Sequence, residues 1–273
     1  MPAAFNTAPP NAPEAILTFP APHILHVAMN RPKNYNAMNG PLNAALEEAF
    51  AWFDAEPSLY VAILGSTSRK AWCAGADLLA WQTEGKNWMK TTKNGFGAIS
   101  TRITKKPIIG AVHGLALGGG SEMVVNLDMV IAGEKATFGF PEVKRGVWIG
   151  LGGLPRFVKL VGHQKATELI LTGRNISPRE ALALNMVNYV VPDDEVEARA
   201  LALAQEIAEN SPDSVVAQLY AIRLTHENTS SFAAQRLIVD SAPIKALEEG
   251  DNLVEGLVAF KEKRKPNWTP SKL

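Results

Sequence analysis

Residues 108–146 read IIGAVHGLALGGGSEMVVNLDMVIAGEKATFGFPEVKRG, and this stretch decides how the rest of the chain is read. It opens as an apolar, β-branched run, the pattern of a buried strand. Three glycines follow, Gly118, Gly119 and Gly120, immediately before Ser121 and Glu122. Met123, Val124 and Leu127 then continue with helical spacing. Glycines between a strand end and a helix start let backbone come close to a ligand. The free N–H groups of such a helix start suit an oxygen that gains negative charge. Glu122 sits in that first turn, and a second acid, Glu142, follows the Phe138-Gly139-Phe140-Pro141 turn. Each piece also has a structural reading. A first-turn glutamate offsets the helix dipole on many surfaces, Glu142 after Pro141 suits the start of another helix, and glycine triplets serve close packing. No Gly-Lys-Ser/Thr follows the triplet, which excludes a phosphate loop of the nucleotide-triphosphate type.

The chain has 273 residues, 47% hydrophobic and 20% charged, enough for one large domain or for one plus an appendage. Its formal net charge is zero, so the basic footprint of a general nucleic-acid binder is missing. A single cysteine, Cys73, allows no internal disulfide and points to a reducing compartment. No apolar run reaches the roughly 18–20 residues that cross a bilayer. Residues 1–13 lack the apolar centre of a signal peptide and are expected to form a flexible tail. Ser271, Lys272 and Leu273 match the peroxisomal address, which predicts the peroxisomal matrix and makes an import receptor a partner. Pro266 and Pro270 disfavour helix before it, so residues 269–273 are expected to be extended and reachable.

Residues 14–30 read as two short strands around a proline-containing turn. His23 and His26 lie on opposite faces of such a strand with no third ligand near, so a metal site is not expected there. Arg31–Met38 reads as a loop, and Leu42, Ala45, Leu46, Ala49, Phe50 and Phe53 form the core stripe of a helix that stops before Pro57. Residues 60–64 form a buried strand that leads through a loop, residues 72–77, to a helical pattern from Leu78. Asp77 suits that helix's cap. Cys73 has no base beside it and reads as a small buried residue. The Lys- and Arg-rich residues 82–106 read as a mobile, solvated helix and loop, with a lid as the sharper alternative. The repeated strand–loop–helix order argues for α/β units whose strand-end loops collect the site. The glycine-dense loop 145–156 is no dinucleotide fingerprint, because Pro155 stands where a glycine is needed. Gly173 ends a helix over 163–172, Ser177-Pro178-Arg179-Glu180 starts another, and 186–191 reads as a strand. From about residue 195 the pattern is almost all helical. This divides the chain into a core over 14–200, a helical region over 201–268 and the tail.

In order and from residue 14 onward, these stretches resemble the crotonase superfamily, closest to the enoyl-CoA hydratases. The resemblance rests on NRPKNYNAM (30–38), WCAGADL (72–78), GLALGGGSE (114–122), FGFPEVKRG (138–146) and GLGGLPR (150–156). LTGRNISPREALALNMVN (171–188) and EGLVAFKEKRKPNW (255–268) extend it. It implies an α/β fold, a spiral of repeated ββα units with a helical C-terminal region, assembled as a homotrimer or homohexamer. It implies an acyl-CoA thioester substrate whose carbonyl oxygen accepts N–H bonds from Ala74 and Gly119. Glu122 and Glu142 match the two acids of hydratases. Lys33 and the backbone of Gly75, Ala76 and Asp77 match segments that hold CoA, and Phe260 and Lys263 match a segment that reaches the CoA of a neighbouring subunit.

The implied reaction is reversible syn addition of water to an α,β-unsaturated acyl-CoA, or dehydration of a 3-hydroxyacyl-CoA. It calls for no metal and no redox cofactor, since CoA is part of the substrate. One carboxylate takes a proton from water while a protonated acid delivers one to Cα, and fixed donors hold the developing oxyanion. Glu122 is assigned as the base and Glu142 as the donor. Trp148 departs from the smaller residues usual at its position, and Trp72, Trp81 and Trp88 flank the other loop, so bulky rings either restrict the acyl group or pack the core. A Δ3,Δ2-enoyl-CoA isomerase is the nearer alternative, and Glu122 argues against it. RNA binding, seen in some relatives, is the alternative of a different class, and the zero net charge and absence of a basic aromatic stripe argue against that.

Overall fold

The computed structural model describes residues 5–84 and 93–273. Trp88 and the middle of the basic stretch therefore lie outside the described residues. The first unit pairs β1 (Ala15–Ala21) antiparallel with β2 (Ile24–Met29) and continues into α1 (Gly40–Ala55). Asn39 caps α1 by accepting from Leu42 N at 3.1 Å. The second unit is β3 (Val61–Ser66), β4 (Ala71–Cys73) and α2 (Leu78–Glu84). The third is β5 (Ile108–Val112), β6 (Leu115–Leu117) and α3 (Gly119–Val124). A fourth places β7 (Met129–Gly133) and β8 (Thr137–Gly139) before the 3-10 turn Pro141–Arg145, then α4 (Gly153–Val161) and α5 (His163–Thr172). Next come β9 (Asn175–Ile176), α6 (Pro178–Ala183) and β10 (Tyr189–Val191).

After the first unit, each ββ pair gives one strand to each of two sheets. The six-stranded sheet runs β1-β2-β3-β5-β7-β10, parallel from β2 onward, and the four-stranded sheet runs β4-β6-β8-β9. This alternation produces the expected ββα spiral. Its strands are nearly continuous apolar runs because both faces of a parallel sheet are covered. Trp72 is fully buried and donates from Nε1 to Leu64 O at 3.1 Å, so its ring belongs to the core. Cys73 is buried beside it, and burial pushes its thiol up to about 12, which leaves no thiolate for chemistry.

Four expectations need correction. Residues 5–13 are docked, not loose: Phe5 meets Phe19 and Trp52 at ring-centroid distances of 4.6 and 5.2 Å. Trp52 Nε1 also donates to Thr7 Oγ1 at 3.0 Å, and Asn6 N donates to Glu56 at 2.8 Å. The core does not end at residue 200. Helix α7 (Val196–Ala208) packs Val196, Ala200 and Ala204 against Val61, Ile63, Ile109 and Ile131, so packing changes only after it. Helices α8 (Pro212–Glu227), α9 (Ser231–Val239), α10 (Ala242–Glu248) and α11 (Asp251–Glu262) follow. The described end of the basic stretch is packed as well. Phe96, Ala98, Ile99 and Lys106 are buried, and Arg102 bridges Glu47 and Asp54 of α1 at 3.1 and 3.2 Å. The C-terminal tail is irregular, as its prolines require, yet it is held. Thr269 N donates to Asn252 Oδ1 at 2.9 Å, Lys272 Nζ reaches Asp251 at 2.6 Å, and Lys105 Nζ donates to Leu273 O at 3.2 Å. Among the described residues, no helix is long and apolar enough to cross a membrane.

Candidate active site

The site forms where the C-terminal ends of β4, β6 and β8 release their loops. Gly118, at φ +56°, turns the chain from β6 into α3, and a Cβ there would stand 3.1 Å from Glu142 Oε1. The loop after β4 lies against the same turn, since a Cβ on Gly75 would be 2.9 Å from Leu117 O and 3.8 Å from Gly119 N. Gly118, Gly119, Gly75 and Glu142 thus share one small space.

Glu122 is 3% exposed, which rules out the surface-dipole reading. Its Oε2 accepts from Leu151 N at 3.1 Å and Gly153 N at 2.8 Å, in the glycine-dense loop before α4. Gly153 is required there, because a Cβ would fall 2.5 Å from Glu122 Cγ. Burial raises the Glu122 carboxyl above the usual range, and the two backbone donors pull against that rise by favouring the ionised form. Glu142 stands second in the 3-10 turn Pro141–Arg145, so it is also the first-turn residue its sequence allowed. Its pKa is raised to about 7, chiefly by burial; its own backbone N–H lowers it and the Glu122 charge raises it further. Its Oε2 is buried without a protein hydrogen bond. The Glu122 charge is one cause of the Glu142 rise, so ionising one of these neighbouring acids disfavours ionising the other.

The donor side needs one correction. Ala74 N–H donates to Tyr35 O at 3.1 Å and Asp77 N–H to Met38 O at 2.9 Å, so neither is free for a ligand. The 30–38 loop, turned back by Tyr35 and Asn36 at positive φ, supplies both acceptors. Among the described residues, the N–H groups of Gly75 and Ala76 donate to no carbonyl, and Gly119, first residue of α3, has none within its helix. Free N–H groups therefore converge from Gly75–Ala76 and from Gly119. Asp77 acts through its side chain, accepting from Ala80 N at 3.1 Å as the cap of α2 and pairing with Arg31 at 3.1 Å.

Lys33 is exposed on the 3-10 turn Pro32–Asn34, two residues before Tyr35. Trp148 is 76% exposed, its ring lying over Gly150 and not walled into a channel. Phe260 is 87% exposed at the end of α11, and Lys263 follows in the left-handed region at φ +55°. His23 and His26 diverge. His23 Nδ1 lies 2.7 Å from Ser58 O, whereas His26 Nε2 lies 3.1 Å from Glu197. Three contributors to the site escaped the sequence reading. Leu151 and Gly153 act through N–H groups that any residue carries, and only the local glycine density marks them. Asn126 Nδ2 donates to Glu122 O at 2.8 Å.

Two buried acids whose pKa values are both raised, beside a turn that carries free N–H groups, define a class: a site that can polarise a carbonyl and move protons beside it. The chain belongs to the enoyl-CoA hydratase/isomerase family, whose sequence model matches residues 21–271. It is 41% identical to the mevalonyl-coenzyme A hydratase of Beauveria bassiana over 280 residues, covering 98% of this chain and 99% of that protein. It is also 41% identical to the mevalonyl-coenzyme A hydratase of Aspergillus fumigatus, covering 97% and 98%. Among solved structures, the enoyl-CoA hydratase of Mycobacterium tuberculosis superposes with a TM-score of 0.87 at 33% identity, covering 95% of this chain and all of that one.

Proposed function

We propose that this chain is an acyl-CoA hydratase that interconverts a 3-hydroxyacyl-CoA and its α,β-unsaturated thioester. The observation that carries the reading is the pairing of Glu122 and Glu142 beside the Gly118–Gly120 turn. In the hydration direction, ionised Glu122 takes a proton from water as the water oxygen bonds to Cβ. The double-bond electrons move toward the thioester, whose oxygen gains charge and is held by the N–H of Gly119 and by those of Gly75–Ala76. Glu142 then gives its proton to Cα. Fixed donors in a dry site do this better than water because they need no reorganisation. The raised Glu142 pKa supplies a carboxylic acid that is still protonated near neutrality.

The acyl group we assign is a branched, hydroxylated five-carbon chain, mevalonyl-CoA and its dehydrated partner. Support comes from the names of two fungal relatives that match over nearly the whole chain. Mevalonyl-CoA carries a 3-hydroxyl, so its dehydration is the same chemistry. Purified protein should be assayed against crotonyl-CoA, longer straight-chain enoyl-CoAs and mevalonyl-CoA. The highest kcat/KM should fall on mevalonyl-CoA or its anhydro form. A straight-chain preference would overturn the substrate, and inactivity on every thioester would overturn the reaction.

The exposed Phe260 and Lys263 support assembly into three or six copies, in which a neighbour uses them at its CoA site. Light scattering should show such an oligomer, and a fully active monomer would refute it. Ser271-Lys272-Leu273 supports peroxisomal import.

A further inference from the structure

Ser121 immediately precedes Glu122 in α3, and no step above uses it. It is fully buried. Its hydroxyl donates to Ala116 O of β6 at 2.7 Å and accepts from Gly139 N, at the end of β8, at 3.0 Å. Gly139 returns the link, because its carbonyl accepts from Gly118 N at 2.9 Å. One pair of contacts therefore joins the start of α3, which carries Glu122, to the residue that launches the Phe140-Pro141-Glu142 turn. Gly139 is three residues from Glu142, and Ser121 is the immediate neighbour of Glu122. Ser121 contributes the only side chain in this pair of contacts.

We propose that Ser121 is a positioning residue that sets the placement of Glu142 relative to Glu122 by bridging Ala116 and Gly139. This rests on the hydratase reading above. The physical argument is one of stakes. A buried hydroxyl that both gives and accepts fixes two backbone groups at once, and its loss leaves a buried N–H and a buried C=O without that partner. The 138–141 segment has no other side-chain tie to α3 among the described hydrogen bonds, so without it only backbone contacts, the β6–β8 pairing and the Gly118 N to Gly139 O bond, join the two, and the turn carrying Glu142 can shift. Proton delivery to Cα then suffers more than binding, because CoA and the thioester oxygen are held by other groups. A misplacement of ~1 Å costs up to about 10²-fold in rate. Drift also exposes Glu142 to water and moves it from Glu122, and both changes lower its raised pKa.

The test compares wild type, Ser121→Ala and Ser121→Cys in kcat, KM and pH profile on the best thioester, with a ¹³C NMR titration of Glu142 beside them. Ser121→Ala should lose about 10–100-fold in kcat with KM little changed. Its alkaline limb, and the Glu142 titration with it, should move below the wild-type position near 7. Ser121→Cys retains a weaker donor and acceptor, so it should fall between the two. It also decides the matter if the alanine variant does not fold. A folded variant with lowered Tm but wild-type kcat, limb and titration would overturn the inference, leaving Ser121 a packing residue. Failure of the function reading looks different. Wild type would then turn over no thioester, while the Glu142 titration in the variants would still support or refute the Ser121 tie.

Discussion

Glu122→Gln tests the acid pair most directly, because it removes a charge while preserving shape. The amide oxygen can still accept from Leu151 N and Gly153 N, now at 3.1 and 2.8 Å from Glu122 Oε2, so the loop should stay in place. What disappears is the base. General acid–base catalysis by one group is worth about 10²–10⁴ in rate, or about 3–5 kcal/mol of barrier. The second effect has a fixed sign. Burial is the largest cause of the raised Glu142 pKa, and the Glu122 charge adds to it. A neutral glutamine side chain in place of Glu122 removes only the addition. Because Glu142 must be protonated to act, the rate falls as pH rises through its pKa. In the variant, that limb should shift to lower pH yet remain above 4.5, the ordinary glutamate value. The assay follows loss of conjugated-thioester absorbance across pH 4–9 on the order of 0.5-unit steps, fine enough to place a pKa that spans a few units. An E122Q enzyme that kept more than about a tenth of wild-type kcat would refute the base assignment, given the 10² minimum expected. A limb that stayed still would refute the electrostatic coupling.

Three further outcomes follow from particular contacts. Glu197 joins α7 to the sheet; its oxygens lie 3.1 Å from His26 Nε2 and 3.2 Å from His113 Nε2. Burial would raise its carboxyl, but the hydrogen bonds and charges of those histidines hold it at about 2, below the ordinary 4.5. A depressed carboxyl contributes stability above 4.5 that is lost as pH falls toward 2, so Glu197→Gln should flatten the acid limb of Tm against pH. An unchanged acid limb would refute this. Lys106 Nζ donates to Phe53 O at 2.8 Å and Glu56 O at 2.6 Å, closing the C-terminal end of α1. Lys106→Met should cost about 1–3 kcal/mol in denaturant unfolding, and a change within about 0.5 kcal/mol, as at an ordinary surface site, would refute it. For localisation, an N-terminally tagged chain should give peroxisomal puncta that disappear when Leu273 is deleted. Diffuse or mitochondrial signal from the intact chain would overturn that assignment.

The fold was legible wherever burial leaves a period in the sequence. The α1 stripe from Leu42 to Phe53 is buried as read, and the apolar runs at 61–64 and 108–112 became central strands. Asp77, Ser177 and Gly173 mark helix ends through chemistry that is local by nature. The misreadings share a cause. Residues 5–13, 93–106 and 268–273 look like tails and loops because they are polar, proline-rich or basic. Their order comes from partners far away in sequence: Trp52 for the first, Glu47 and Asp54 for the second, Asn252 and Asp251 for the third. The same holds for α7. Its alanines, Ala200 and Ala204, gain their role only where small side chains let the helix sit close on Val61 and Ile109.

At the site, side chains were readable and backbone was not. Glu122 and Glu142 stand out because acids are costly inside a protein and need a reason to be there. An N–H group carries no such mark, since every non-proline residue has one. Whether it serves a ligand depends on whether the fold has already given it an acceptor. Ala74 and Ala76 are the same residue type two positions apart in one loop, yet Tyr35 O takes the N–H of Ala74 while no described carbonyl takes that of Ala76. The acceptor comes from the 30–38 loop, whose left-handed turn at Tyr35 and Asn36 aims carbonyls at the 74–77 loop. Asn36 is fully buried in that turn and donates to Ser66 Oγ at 2.6 Å and Ala71 O at 3.2 Å, which fixes it against the strands. The first loop thus decides, by what it occupies, which amides of the second remain open to a thioester oxygen.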